Sequence, residues 1–493
     1  MAHLMKSLSL VAGLATALLA GCAAVGPDYQ APQAASAAGA SNFPSAGDAG
    51  ATVVSEPPEL WWRQLGDADL DYLVDLALAA NHDLAVAIAN VEAARAQLSQ
   101  FETRREPSLD LNGTVRERRD AQAAQRKADA HDTAPTRSIA TVGVDLLWEI
   151  DLFGRVRRSI EAAAADLGSL EAVRNGVLIA VLSSTASAYV DLRGAQARLA
   201  VAERNVSVQQ QTLDLVVLLN REGAATDLDV ARARSQLLTS QSTIPTLRAA
   251  ARAAMNRLTT LTAQAPGALD ARLATHKPMP TLPPLVAVGA PADLLRRRPD
   301  IVAAERAVAA ASARIGVATA DLFPTVSLVG GAGVSASPLG NIAAAGAPFF
   351  TLGPTLRWNI FDRDAIYARI AQADAAAAAG VARYQATVTR ALEETDSAIS
   401  AYGNEREREN QLTAAVAASR DAAQLAELRF REGAEDFLTV LDAERSLLLL
   451  EDLQALSAVN VAQRLIDIQR ALGGGWQNAS PPDAPGYVPA AEK

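Results

Sequence analysis

Two stretches of this chain repeat apolar residues every three or four positions: Leu84, Ala87, Val91, Ala94, Leu98 and Phe101, then Ile301, Ala304, Val308, Ala311, Ile315 and Ala318. Such spacing draws one stripe along a helix, and its mean period of about 3.5 predicts a left-handed supercoil against partner helices. Downstream of each stretch the period falls to two. Val142, Val144, Leu146 and Trp148 alternate with Thr141, Gly143, Asp145 and Leu147, and Phe350, Leu352, Leu356 and Trp358 alternate with Thr351, Gly353, Thr355 and Arg357. Each has an upstream partner, "PSLDLNGTV" from Pro107 and "PTVSLVGGAGV" from Pro324. Four strands are predicted, two in each half of the chain. Trp148 and Trp358 close their runs as aromatics at a membrane interface would, although the alternation alone also fits half-buried strands of a soluble sheet.

After each strand pair the helical pattern returns and does not break. No proline lies between Pro135 and Pro245 or between Pro354 and Pro481, so residues 155–219 and 363–430 are each predicted as one helix of roughly 100 Å. Both end in the same phrase. "NREGAATDLDVARARSQLL" at 220–238 and "FREGAEDFLTVLDAERSLL" at 430–448 agree at nine of nineteen positions. Gly223 and Gly433 are placed to end the long helices in a left-handed conformation. Thr226 and Asp436 can then cap the helices that run back, so each phrase reads as a sharp helical hairpin.

The phrase belongs to a longer duplication. Asp83 aligns with Asp300 and Pro107 with Pro324 at a shift of 217, while Trp148 aligns with Trp358 at 210. A repeat sustained this far predicts two equivalent structural units. The division expected is a signal peptide at 1–21, a lipidated tether at 22–58 and a first repeat at 59–264. A linker at 265–290, a second repeat at 291–472 and a C-terminal tail at 473–493 follow. The ordered part is expected to begin near Trp61.

The amino terminus carries an address. Lys6 precedes "LSLVAGLATALLAG", an apolar run of about 14 residues that is too short to span a bilayer and suits a secretory signal. It ends at "LAGC", which resembles the lipobox of bacterial lipoproteins and marks Cys22 for acylation; the alternative is an ordinary signal followed by an incidental cysteine. Ala23 follows, where aspartate would suggest retention at the inner membrane, so the expected destination is the outer membrane.

Composition narrows the function. Apolar residues make up 50% of 493 residues but aromatics only 4%, which favours close-packed, alanine-rich helices over a thick globular core. The net charge of −10, with no long basic run, argues against nucleic acid. A single cysteine excludes an internal disulfide framework. The four histidines, at 3, 82, 131 and 276, show no metal-ligand spacing, and no phosphate loop or nucleophile elbow occurs. No enzyme, cofactor or metal site is expected. Met255 and Met279 are too few to line a Cu(I) path.

Four strands cannot close a barrel, and an open sheet edge is not tolerated in lipid. Spanning strands would have to be pooled, and a trimer would give twelve. In order and spacing, "CAAVGPDY" from Cys22, "WWRQLGDADLDYLVDLALAANHDL" from Trp61, "LLRRRPDIVAAE" from Leu294, "DLFP" from Asp321, "FREGAEDFLTVLDAERSL" from Phe430 and "ALGGGW" from Ala471 resemble the TolC-like outer-membrane channels. The likeness is to their lipoprotein branch, the NodT or OprM type of outer-membrane factor, and it covers nearly the whole mature chain. The resemblance implies a mainly α fold with a membrane β-barrel: a homotrimer in which each duplicated protomer gives four strands to a twelve-stranded barrel and long helices to a periplasmic α-barrel. It implies the exit duct of a tripartite efflux system, joined to a periplasmic adaptor and an inner-membrane RND-type transporter and passing small molecules such as drugs. Ducts for metal ions or for type I protein secretion share this fold. A coiled-coil envelope spacer without a pore is the rival from outside it.

The resemblance also assigns the narrow periplasmic tip. Leu438 matches an apolar constriction, Asp442 an acidic ring, and Arg445 a basic position that could tether helices in the closed state. Leu438 and Asp442 are four apart and share a helix face, where three copies would form rings. Without the family, the same residues read more readily as a coiled-coil apolar position and a solvated carboxylate. The first repeat keeps Leu228 but has Arg232 in place of the aspartate, and Thr439 stands where some relatives carry a second carboxylate.

Overall fold

The computed structural model describes residues 24–33, 42–46, 52–53, 55–119, 136–337 and 346–477. Cys22 and most of the C-terminal tail lie outside them. In chain order the main helices are α1 (Ala68–Ala80), α2 (His82–Glu102), α3 (Arg155–Arg221), α4 (Asp227–Leu261), α5 (Pro299–Ala320), α6 (Arg363–Arg431) and α7 (Phe437–Ala471). The main strands are β1 (Ser108–Arg119), β2 (Thr136–Ile150), β3 (Thr325–Ala336) and β4 (Ala347–Arg357). The chain divides into two compact units. One takes the described residues of Met1–Pro32, Glu92–Ser169 and Ala304–Tyr384, the other those of Gln33–Val91, Leu170–Ala303 and Gln385–Lys493.

The first unit contains the sheet. Its strands run in the order β1-β2-β3-β4, every neighbour antiparallel. The register brings Leu111 opposite Val144, Val144 opposite Ala332 and Ala332 opposite Phe350. Directly paired residues share a face. One face is therefore apolar from edge to edge, with Leu109, Leu111 and Val115, then Val142, Val144 and Leu146, then Val326, Leu328 and Val334, then Phe350, Leu352 and Leu356. The other face is mostly polar, with Asp110, Asn112, Thr114, Thr141, Asp145, Ser327, Ser335, Thr351 and Thr355 and glycines at 143, 331, 333 and 353, and it also carries Leu147, Val329 and Phe349. Two of these glycines admit no side chain. A Cβ on Gly333 would lie 2.3 Å from the Val142 carbonyl oxygen, and one on Gly143 would lie 2.7 Å from that of Ala332.

The second unit contains the hairpin ends of the four longest helices. Leu213 and Val216 of α3, Ala233 and Leu237 of α4, Ala426 of α6, and Phe437, Val440 and Leu441 of α7 form one buried core. The rings of Phe430 and Phe437 meet across the second hairpin at 5.7 Å. Another fixed point of this unit is Asp69, in the first turn of α1. It is bound by Arg193, Arg272 and Lys277, and Arg193 is fully buried.

The expectation of a plain tether up to Pro58 is corrected by the described parts of that segment. Residues 24–29 pack in the first unit, where the Val25 amide donates to Phe153 and the Tyr29 hydroxyl to Glu305. In the second unit Phe43 is buried, Ser45 donates its amide and hydroxyl to Asp396 at 2.9 and 3.0 Å, and Thr52–Val53 pairs in parallel with Val286–Ala287. Order thus begins before Trp61. Ala/Ser/Gly/Pro composition has no periodicity of its own, and the partners that order this segment lie hundreds of positions away.

Candidate functional site: hairpin tips and an amphipathic sheet

The two hairpins are built alike at their helix ends. Gly223 and Gly433 adopt φ of +78° and +71°. The Gly223 and Ala224 amides donate to Asn220 and Leu219, and those of Gly433 and Ala434 to Phe430 and Arg429. This is the paired bonding of a Schellman turn, which satisfies carbonyls a helix end leaves open. Thr226 then caps α4 by accepting from the Asp229 amide, and the Asp229 carboxylate in turn accepts from the Thr226 amide at 3.0 Å. Asp436 caps α7 by accepting from the Thr439 amide at 3.0 Å.

They differ one turn further on. In the first hairpin Arg232 lies 3.9 Å from Asp229, and the Thr226 hydroxyl bond, helped by this cation, holds the Asp229 carboxyl below its usual range. In the second, Leu438 is 50% exposed and Asp442 and Arg445 are both exposed. No ion pair joins Asp442 to Arg445 among the described residues. Leu438 and Asp442 sit on the open face of α7, opposite the face that packs Phe437, Val440 and Leu441 into the core. Arg445 instead borders a groove of about 730 Å³ between α3, α4 and α7, lined also by Leu448, Leu449 and the Arg198–Asp452 pair. Thr439 donates its hydroxyl to Asp436 and Glu435 and so belongs to the cap.

Glu444 was not singled out in the sequence. It turns inward from α7 and accepts a 2.9 Å bond from the Thr212 hydroxyl of α3. Burial pushes its carboxyl up, the Thr212 bond restrains the rise, and the charge of Glu427 adds to it. Nothing in the local pattern separates this carboxylate from Asp442, two positions earlier, because both lie on an amphipathic helix and the group that Glu444 meets, Thr212, comes from the other repeat.

The tryptophans occupy matching places at one end of the sheet. Trp148 donates its indole N–H to the Arg105 carbonyl at 2.9 Å, and Trp358 donates to the Leu322 carbonyl at 3.0 Å. Each ties the helix-side end of a strand to the turn after the preceding helix, with its ring partly exposed.

The sheet has one face apolar from edge to edge, and the very long helices are written twice. The sequence model of the outer membrane efflux protein family matches residues 73–264 and 290–474. The chain belongs to the outer membrane efflux protein family. Among curated relatives, the antibiotic efflux pump outer membrane protein ArpC of Pseudomonas putida is 31% identical over 470 residues, covering 93% of this chain and 94% of its own. Outer membrane protein OprJ of Pseudomonas aeruginosa is 32% identical over 471 residues, 94% and 96% of the two chains. Among solved structures, the outer-membrane channel OprN is similar with a TM-score of 0.85 and 38% identity, over 92% of this chain and 99% of that one. The open-state MtrE outer membrane channel of Neisseria gonorrhoeae gives 0.79 and 26%, over 92% and 99%. This family member is thus an outer-membrane efflux channel, with the fold of the TolC-like channels.

Proposed function

We propose that this efflux channel works as a homotrimer, the passive exit duct of a tripartite pump that receives small molecules from a periplasmic adaptor and an inner-membrane RND-type transporter. The carrying observation is the sheet. Its two edge strands, β1 and β4, each have one neighbour, and unpaired edges are costly in hydrocarbon. Three copies offer twelve strands, which close with the apolar face toward lipid and the polar, glycine-bearing face toward the lumen. A coiled-coil spacer would have no use for such a sheet. The duct performs no chemistry of its own. Names of relatives that specify antibiotics, toluene, solvent or pyoverdine support small-molecule cargo.

The chain is read as a signal peptide at 1–21, an acylated Cys22 that begins the mature protein, and two repeats at 59–264 and 291–472 joined by 265–290. Leu438 and Asp442 form the gate at the hairpin tips, where three leucines resist wetting and three carboxylates favour cations. Arg445, directed to the groove beside the gate, holds the tip helices to their neighbours in the closed trimer. The exposure of Leu438 and Asp442 in the isolated protomer supports this reading.

Single-channel conductance in planar bilayers tests the gate. Wild type is expected to give small, cation-preferring currents. Asp442→Ala lowers the cation preference and raises resting conductance, and Leu438→Ala widens the closed state. Unchanged conductance and selectivity in both variants would remove these residues from the gate.

A further inference from the structure

The first residues described, 24 to 29, lie in a slot whose construction has no part in the gate or the sheet. Gly26 has φ of +89°, and a Cβ there would stand 2.4 Å from the Gly316 Cα. Gly316 in turn has no room for one, since it would meet the Arg158 side chain at 2.8 Å and the Val25 carbonyl oxygen at 2.9 Å. Gly154, at φ +83°, faces Ala24 so closely that a Cβ would lie 2.5 Å from that of the alanine. Only glycine allows backbones to approach this far.

Arg158 closes the slot. Its side chain is 5% exposed. It donates to the Val25 carbonyl at 3.2 Å, the Gly26 carbonyl at 3.4 Å and the Asp28 carboxylate at 2.7 Å, while Glu161 holds the guanidinium at 2.8 Å. A buried guanidinium directed at two consecutive carbonyls is built to hold backbone. The Val25 amide completes the grip by donating to Phe153 at 3.0 Å.

Phe153 lies three residues beyond Ile150, the last residue of β2. Cys22 stands three positions before Val25, so chain length alone keeps it within roughly 10 Å of Val25. That is the end of the sheet where Trp148 and Trp358 sit. We propose that Gly154, Gly316 and Arg158 form a seat for residues 24–28, which fixes the acyl anchor on Cys22 at the helix-side end of the sheet, level with the edge of its apolar band. The anchor and the strands then enter the same leaflet in register, and acyl chains and sheet act as one inserting unit. This rests on the reading of Cys22 as acylated. Arg158 and the two glycines are positioning residues.

A nitroxide on Gln30→Cys in full-length protein, reconstituted in phosphatidylethanolamine and phosphatidylglycerol vesicles, reports the seat. The expected spectrum is restricted, and it becomes mobile in Arg158→Ala and in Gly316→Val. Insertion, followed as heat-modifiable migration on gels, is expected to slow several-fold in Cys22→Ser and in Arg158→Ala. The double variant is expected to be no slower than Cys22→Ser alone, because a seat without an anchor has nothing to register. Equal mobility in wild type and both seat variants would overturn the proposal, as would insertion losses that add, since a purely structural Arg158 would act with or without the lipid. Mass spectrometry of the N-terminal peptide separates the two readings. An unacylated Cys22 in the wild type would sink the anchoring role, while the nitroxide still decides whether residues 24–28 are gripped.

Discussion

Asp69 holds three cations. Its Oδ1 accepts from Arg272 at 2.8 Å and its Oδ2 from Arg193 at 2.9 Å, with Lys277 on the same oxygen. Burial by itself would raise this carboxyl; the hydrogen bonds and charges of Lys277 and Arg272 outweigh it and hold the group below its ordinary value. A folded-state value below the unfolded one stabilises the fold at all pH above the ordinary carboxylate value of 3.8. That contribution is lost as the pH falls from there through the folded-state value. Asp69→Asn leaves Arg193, whose side chain is fully buried, without its carboxylate, and removing one partner of a buried pair costs about 3–5 kcal/mol. Thermal unfolding in detergent should show a large drop in midpoint at pH 7 and a smaller difference from wild type near pH 3. A drop equally large at both pH values would mean that packing, not charge, is what Asp69 supplies. No sequence pattern announced this cluster. Its cations lie 124, 203 and 208 positions from Asp69, so only the closed fold defines it.

Elements whose causes are local were the legible ones. The hairpins depend on a glycine, a capping side chain and an apolar first turn within about ten residues, and the repeat exposed them by writing the phrase twice. The strands were equally plain, since their alternation answers to one apolar face. The segment before Trp61 went unread because its order comes from distant partners such as Asp396 and Gly316. Gly433 allows a clean test of the hairpin logic. It has φ of +71°, and a Cβ at this position would meet nothing within 4 Å, so substitution there affects backbone conformation alone. Gly433→Ala is expected to destabilise the tip by about 1–2 kcal/mol, and Gly433→Asn by less, since asparagine tolerates the left-handed region. Hydrogen exchange at the amides of 437–442 should quicken about 5- to 30-fold in the alanine variant. Unchanged exchange there would mean that tertiary packing around Phe437, and not the turn, holds the tip.

At the scale of the whole molecule, the proposed gate rests on family resemblance, and the proposed closure needs more than one chain. The protomer presents a sheet with Leu111 79% and Phe350 83% exposed, an apolar area that a water-soluble protein would cover. The two faces of β1 offer the direct contrast. Leu111 lies on the apolar face beside Val144, and Thr114 on the polar face beside Thr141. If lipid covers the first and a water-filled lumen the second, arginine should discriminate between them. Leu111→Arg then costs about 2–4 kcal/mol in the bilayer and blocks insertion into vesicles. Thr114→Arg adds a cation to a wet lumen, inserts normally, and shifts selectivity toward anions in planar bilayers. Equal tolerance of both substitutions, with channels still formed, would place neither face in hydrocarbon and remove the reason for three chains to pool their strands. The difference between two positions on one strand therefore tests the barrel and, through the unpaired edges of β1 and β4, the proposed trimer that would close it.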